Sequence, residues 1–199
     1  MGKGGAGKQH IQATQQHVDQ LLEAFTELRA QRGSNEAELL DKYWWLISDT
    51  TLRRFITANN CDVDAAQAQI LSHLEWRGPY GVDTITEEDF SDMAALNELY
   101  WRGFNNKGYP ILVWNAARHN ASGVIPAERY TRYFVYLLET GARDFFGGSE
   151  KPGLFSIMLN AKGVGRRNID FAMMKLAGPI IEVSGEMCSR WVGGWGNSE

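Results

Sequence analysis

A chain of 199 residues, 44% hydrophobic and 12% aromatic, can build one domain with a real core, or one domain with a small helical cap, and is not a disordered chain. A formal net charge of −4 argues against a broad nucleic-acid surface and leaves room only for a local basic patch. Two cysteines, Cys61 and Cys188, lie in different segments and suit a reduced cytoplasmic setting; no apolar run nears the ~20 residues of a membrane span, so membrane contact is expected to be peripheral.

Residues 1–11 are Gly-rich and basic and read as a mobile tail. Gly2, Gly7 and Lys8 imitate a phosphate-binding loop, but Gln9 stands where a magnesium-binding Ser or Thr belongs and no strand precedes it. Gly2 also imitates a myristoylation site, with Ala6 in place of the usual Ser or Thr. The spacing of Val18, Leu21, Leu22, Phe25 and Leu28 predicts an amphipathic helix over about residues 12–31, ended by Gly33. Asn35, with Glu38 three residues on, predicts the cap of a second helix whose apolar side holds Leu39, Leu40, Tyr43, Trp44 and Ile47. Adjacent Trp44 and Trp45 cannot both face one core, so one is expected to be half exposed.

Residues 49–77 predict a helical hairpin. Its first helix, about residues 51–59, is capped by Ser48 or Asp49 and buries Leu52, Phe55 and Ile56. Asp62 caps the second, whose apolar face is Val63, Ala66, Ile70, Leu74 and Arg77, with Gln67 and Ser72 opposite. Gly78-Pro79 is expected to stop it. Thr86 and Asp89 have capping spacing, and Phe90, Met93, Leu96 and Tyr100 predict a short helix.

An extended segment over residues 100–104, a turn at 105–108 and a strand over 109–115 follow. The apolar run Ile111, Leu112, Val113, Trp114 suits a strand covered on both faces, with Pro110 tolerable near its start. Pro126 opens a helix carrying Tyr130, Phe134, Leu137, Leu138 and Phe145, broken by Gly147-Gly148. A second strand over 154–159 completes a right-handed βαβ unit, whose two parallel strands would be a poor sheet by themselves. Another helix is expected from near Asn168, with Ile169, Met173, Leu176 and Ile180, ended or kinked by Gly178-Pro179. Residues 183–199 have no clear period and carry Trp191 and Trp195.

The segments tLRRF (residues 51–55), HLEWR with YGVDTI (73–85), GYPILVW (108–114) and FSIMLNAKGVGRRN (155–168) resemble, in order, the N-terminal module, first strand, and second strand and turn of the CRAL-TRIO (Sec14-like) lipid-binding family. The resemblance covers about residues 49–182. It implies an α/β fold class: a helical N-terminal module over 12–82, then an incomplete βαβ lipid-binding domain over 83–182, before an atypical tail at 183–199. The family's later "YPErl" segment has no match, so a truncated or alternatively spliced product is expected.

The resemblance also implies a non-enzymatic protein that holds a phosphoinositide, phosphatidylcholine or other small hydrophobe between sheet and helices, impaired in transfer by the missing end. It implies wall candidates Leu112 and Trp114, Tyr130, Tyr133, Phe134 and Leu137, and Phe155, Ile157 and Leu159; at least half of these are expected to be core, because apolar stripes at regular spacing usually are. Ser156 should lie opposite Phe155 and Ile157 by strand alternation, and Asn160 stands at the family's usual Asp.

Other chemistry is sparse. His10, His17, His73 and His119 have no metal-ligand spacing, no catalytic nucleophile elbow or Cys-x-x-Cys occurs, and Glu87-Glu88-Asp89 suits a helix N-terminus, so neither metal nor cofactor is expected beyond a bound lipid. Gly163-Val164-Gly165-Arg166-Arg167-Asn168 weakly imitates a dinucleotide turn, with Asn168 replacing the third glycine. Arg166 and Arg167 are better read as contacts to a lipid phosphate or membrane surface, or as solvated loop residues. The rivals are a protein-interaction module, with self-association through the incomplete sheet, and a nucleotide-binding enzyme.

Overall fold

The computed structural model describes residues 13–119, 124–145, 155–172 and 175. The imitation phosphate loop, His10, the Gly147-Gly148 break, Leu154, Met173, Leu176, Gly178-Pro179, Ile180, Cys188 and the tail with Trp191 and Trp195 lie outside the described residues.

Four helices come first. Helix α1 is Gln15–Ala30, shorter than the apolar period suggests, because Thr14 caps it and shares a reciprocal hydrogen-bond pair with His17. Helix α2 is Asn35–Tyr43, and its cap is Ser34, not Asn35: the Ser34 hydroxyl accepts from the Ala37 N–H. Trp44 packs at the edge of the helical core while Trp45 is 66% exposed, so the two part as their adjacency requires.

Helix α3, Asp49–Ala58, is capped by Ser48, and helix α4, Val63–Tyr80, by Asp62. The connector turns sharply through left-handed Asn60 and Cys61. Leu52, Phe55 and Ile56 of α3 and Val63, Ala66, Ile70 and Leu74 of α4 are buried with Val18, Leu21 and Phe25 of α1 and Leu40 and Tyr43 of α2 in one apolar cluster.

Gly78-Pro79 does not stop α4. Gly78 has no Cβ to collide with the proline ring, so it can stay helical, and Pro79 forfeits a single donor near the end. The stop is Gly81, left-handed at φ +73°, whose N–H caps the Arg77 and Gly78 carbonyls.

A 3-10 turn over Val82–Glu87 replaces the predicted restart at Thr86, and helix α5 is only Ser91–Ala95. Tyr100 belongs to a strand, not to that helix. Strand β1, Leu99–Phe104, runs antiparallel to β2, Pro110–Asn115, and β2 runs parallel to β3, Ser156–Asn160. The sheet order β1-β2-β3 makes β2 central, and the antiparallel β1 adds a third strand to the two-stranded parallel pair expected from the βαβ unit. Pro110 is the first residue of its strand, where a missing donor costs least. Asn105 shapes the hairpin turn: its side-chain oxygen accepts from the Lys107 and Tyr109 N–H groups, and its amide donates to Ser156 Oγ on β3.

Helix α6, Ala127–Phe145, connects β2 to β3 and lies on the face that carries Trp101, Leu112, Phe155 and Ile157. With Val82, Ile85, Phe90 and Met93 these form the second apolar cluster. Trp101 crosses from β1 to α6, donating its indole N–H to the Leu137 carbonyl at 2.8 Å and stacking edge-on against Phe145 and Phe155. Gly141 leaves it room: a methyl there would stand 2.7 Å from Trp101 Cε2. After β3 the expected helix does not begin at Asn168; Arg166–Asn168 is a 3-10 turn, and helical backbone resumes at Phe171.

Candidate functional site

The parallel pair sets the geometry. Leu112 lies beside Ile157 and Trp114 beside Leu159, and strand alternation puts all four, with Phe155, on the α6 side of the sheet. Val113 and Met158 point the other way. On the α6 side, Leu112, Tyr130, Tyr133, Leu137 and Phe155 are buried in the second cluster, and Phe134 and Ile157 are half-buried against it. Cover thins toward the strand C-termini: Leu112 is fully buried, Trp114 half-buried and Leu159 38% exposed. Tyr133 donates its hydroxyl to the Leu99 carbonyl at 3.1 Å, and burial pushes its phenol up to about 12. Ser156 is occupied by the Asn105 amide, and Asn160 donates to Asn115 Oδ1 while its own oxygen accepts from the Lys162 N–H.

The turn after β3 is held from beneath. The Asn168 amide donates to the Ala117 and His119 carbonyls, and its oxygen accepts from the Gly165 N–H. The residue that breaks the dinucleotide-like glycine pattern therefore fastens this turn to the segment following β2. Arg166 and Arg167 are exposed and make no ion pair with an acid among the described residues.

One cluster escaped the sequence reading. His119 is buried; its Nδ1 lies 2.9 Å from Glu98 Oε1, its Nε2 lies 3.3 Å from Asp170 Oδ2, and its ring meets Tyr130 edge-on. The hydrogen bond to Glu98 raises the His119 pKa above the ordinary histidine value, against burial, which lowers it. Glu98 and Asp170 are 21 and 51 residues away in sequence, so no local pattern could have grouped them.

Residues 97–184 match the family model described as "CRAL/TRIO domain", a span that begins just before β1 and contains β2, α6, β3 and the Asn168 turn. This part of the chain is similar to the CRAL/TRIO family. Among similar proteins, the phosphatidylinositol/phosphatidylcholine transfer protein SFH11 of Arabidopsis thaliana is 27% identical over 59% of this chain and 31% of its own length. The phosphatidylinositol transfer protein CSR1 of Eremothecium gossypii is 25% identical over 81% of this chain and 39% of its own. The SEC14 cytosolic factor of Yarrowia lipolytica is 29% identical over 48% of this chain and 21% of its own. The chain thus spans less than half the length of each of these relatives. The chain combines an α/β unit of three strands and α6 with the helices that precede it, as the CRAL/TRIO resemblance implies. Among the described residues, no helix is long and apolar enough to cross a membrane.

Proposed function

We propose that this chain is a Sec14-like phospholipid-binding module that holds a phosphoinositide, a phosphatidylcholine or a similar small hydrophobe and catalyses no reaction. The observation that carries this reading is the CRAL/TRIO match across the β1–β3 core, joined by relatives whose names specify phosphatidylinositol and phosphatidylcholine transfer. The acyl chains would lie on the α6 side of the sheet at the strand C-termini, where Trp114 and Leu159 form a partly covered apolar pair and open α/β sheets commonly take ligands. Leu112, Tyr130, Tyr133, Leu137 and Phe155 would form the floor beneath it, with Phe134 and Ile157 at the margin.

The test is lipid extraction from the purified chain with mass spectrometry, beside a vesicle-to-vesicle transfer assay. Retained phospholipid, reduced about tenfold in Leu159→Asp, is expected, because a charge at a half-exposed wall position removes apolar contact without unseating the core. A chain that retains no lipid and transfers none would refute the reading and favour a protein-interaction module.

A further inference from the structure

The segment after β3 is patterned inside out. Asn168 and Asp170 turn toward the protein, where the first clasps two carbonyls and the second meets buried His119. Between and beyond them Ile169 is 49% and Phe171 77% exposed, and Val164, just upstream, is exposed as well. Extended backbone at Ile169 produces this alternation, since successive side chains of an extended chain point to opposite sides. A surface segment facing only water would be expected to show its polar residues outward and its apolar ones inward. Lys162, Arg166 and Arg167 of the same stretch are exposed as well, while its one acid, Asp170, is turned inward to His119.

We propose that residues 162–171 are a docking surface for an anionic lipid bilayer. Val164, Ile169 and Phe171 enter the interfacial layer, and Lys162, Arg166 and Arg167 meet headgroup phosphates. Cations interleaved with outward apolar side chains match the two attractions that hold a protein on such a surface, apolar burial and charge. The Asn168 and Asp170 anchors hold the segment in its presenting conformation, so little ordering is required on contact. The inference rests on the phospholipid-binding reading only in its choice of a membrane as the occupant, because docking and cargo are separate contacts.

The experiment is co-sedimentation of the full chain with phosphatidylcholine vesicles, with and without phosphatidylserine, at low and high salt. Binding is expected only when phosphatidylserine is present, and it should weaken with salt. Arg166→Ala with Arg167→Ala should weaken it about thirtyfold at low salt, Arg166→Lys with Arg167→Lys should retain it, and Phe171→Ala should weaken it about tenfold. Because these side chains are exposed, the thermal unfolding of each variant should match the parent. Equal binding by parent and variants, or binding indifferent to phosphatidylserine, overturns the proposal. Bound cargo is measured on the same samples by mass spectrometry, so a parent chain that carries cargo but does not bind phosphatidylserine vesicles overturns this inference alone.

Discussion

Arg77 of α4 and Glu139 of α6 form a two-point ion pair, Nη1 to Oε1 at 2.9 Å and Nη2 to Oε2 at 3.0 Å, across 62 residues of sequence. The guanidinium is 2% exposed, and its Nε reaches Asp83, which in turn accepts from the Tyr43 hydroxyl. Tyr43 belongs to the helical cluster, and α6 supplies much of the second cluster, so this network ties the two apolar clusters together.

Glu139→Ala should therefore cost about 3 kcal/mol in urea unfolding, because it leaves a buried cation short of its main partner. Arg77→Met combined with Glu139→Leu should cost distinctly less, since replacing both charges removes the desolvation penalty along with the attraction. If Glu139→Ala unfolds at the parent's midpoint, the pair does not hold the clusters together.

Leu74 is 1% exposed on the buried face of α4. Leu74→Ala is expected to destabilise the chain by about 2–5 kcal/mol through lost burial and the cavity left behind, measured by chemical denaturation. Ser72→Ala, on the exposed side of the same helix, should change stability by less than about 0.5 kcal/mol.

Gly141→Ala sets two effects against each other. Alanine favours a helix interior by about 1 kcal/mol, but the added methyl collides with the ring of Trp101. That ring is held by its hydrogen bond to Leu137 and by Phe145 and Phe155, so it has little freedom to withdraw. A net loss of about 1–2 kcal/mol is expected, with altered tryptophan fluorescence in the folded state. Unchanged or higher stability would mean that Trp101 repacks freely.

The His119 cluster should make stability depend on pH. Its folded pKa is raised, so protonated His119 favours the folded state. That contribution is fully present below the unfolded value of ~6.5 and is lost as pH rises through the higher folded value. The stability difference between the parent and His119→Gln should shrink as pH climbs above about 6.5. Urea titrations across this range check it; a difference independent of pH would exclude a charged imidazole between Glu98 and Asp170.

Much of the architecture was decided by local sequence. Ser48 and Asp62 cap helices because a side-chain oxygen reaches an N–H three residues on, and that reach does not depend on the rest of the fold. The face of α4 followed from a period of 3.6, and the β1–β2 hairpin and the β2–α6–β3 crossover from strand-like runs separated by a turn and a helix. What only the tertiary structure decided involves partners far apart or competing costs. Gly81 overrode Pro79 because Trp76 and Tyr80 pack against the second apolar cluster and keep the last turn formed. Arg77 could occupy an apolar stripe because Glu139 and Asp83 converge on it there, and a buried charge is tolerable only with such partners. His119 and Asp170 meet because β2 and β3 are adjacent and parallel, and Glu98 joins them because antiparallel β1 starts beside the end of β2. The same adjacency turns Asn168 and Asp170 inward and leaves Ile169 and Phe171 facing out, a pattern set by what lies beneath the turn and absent from any local period.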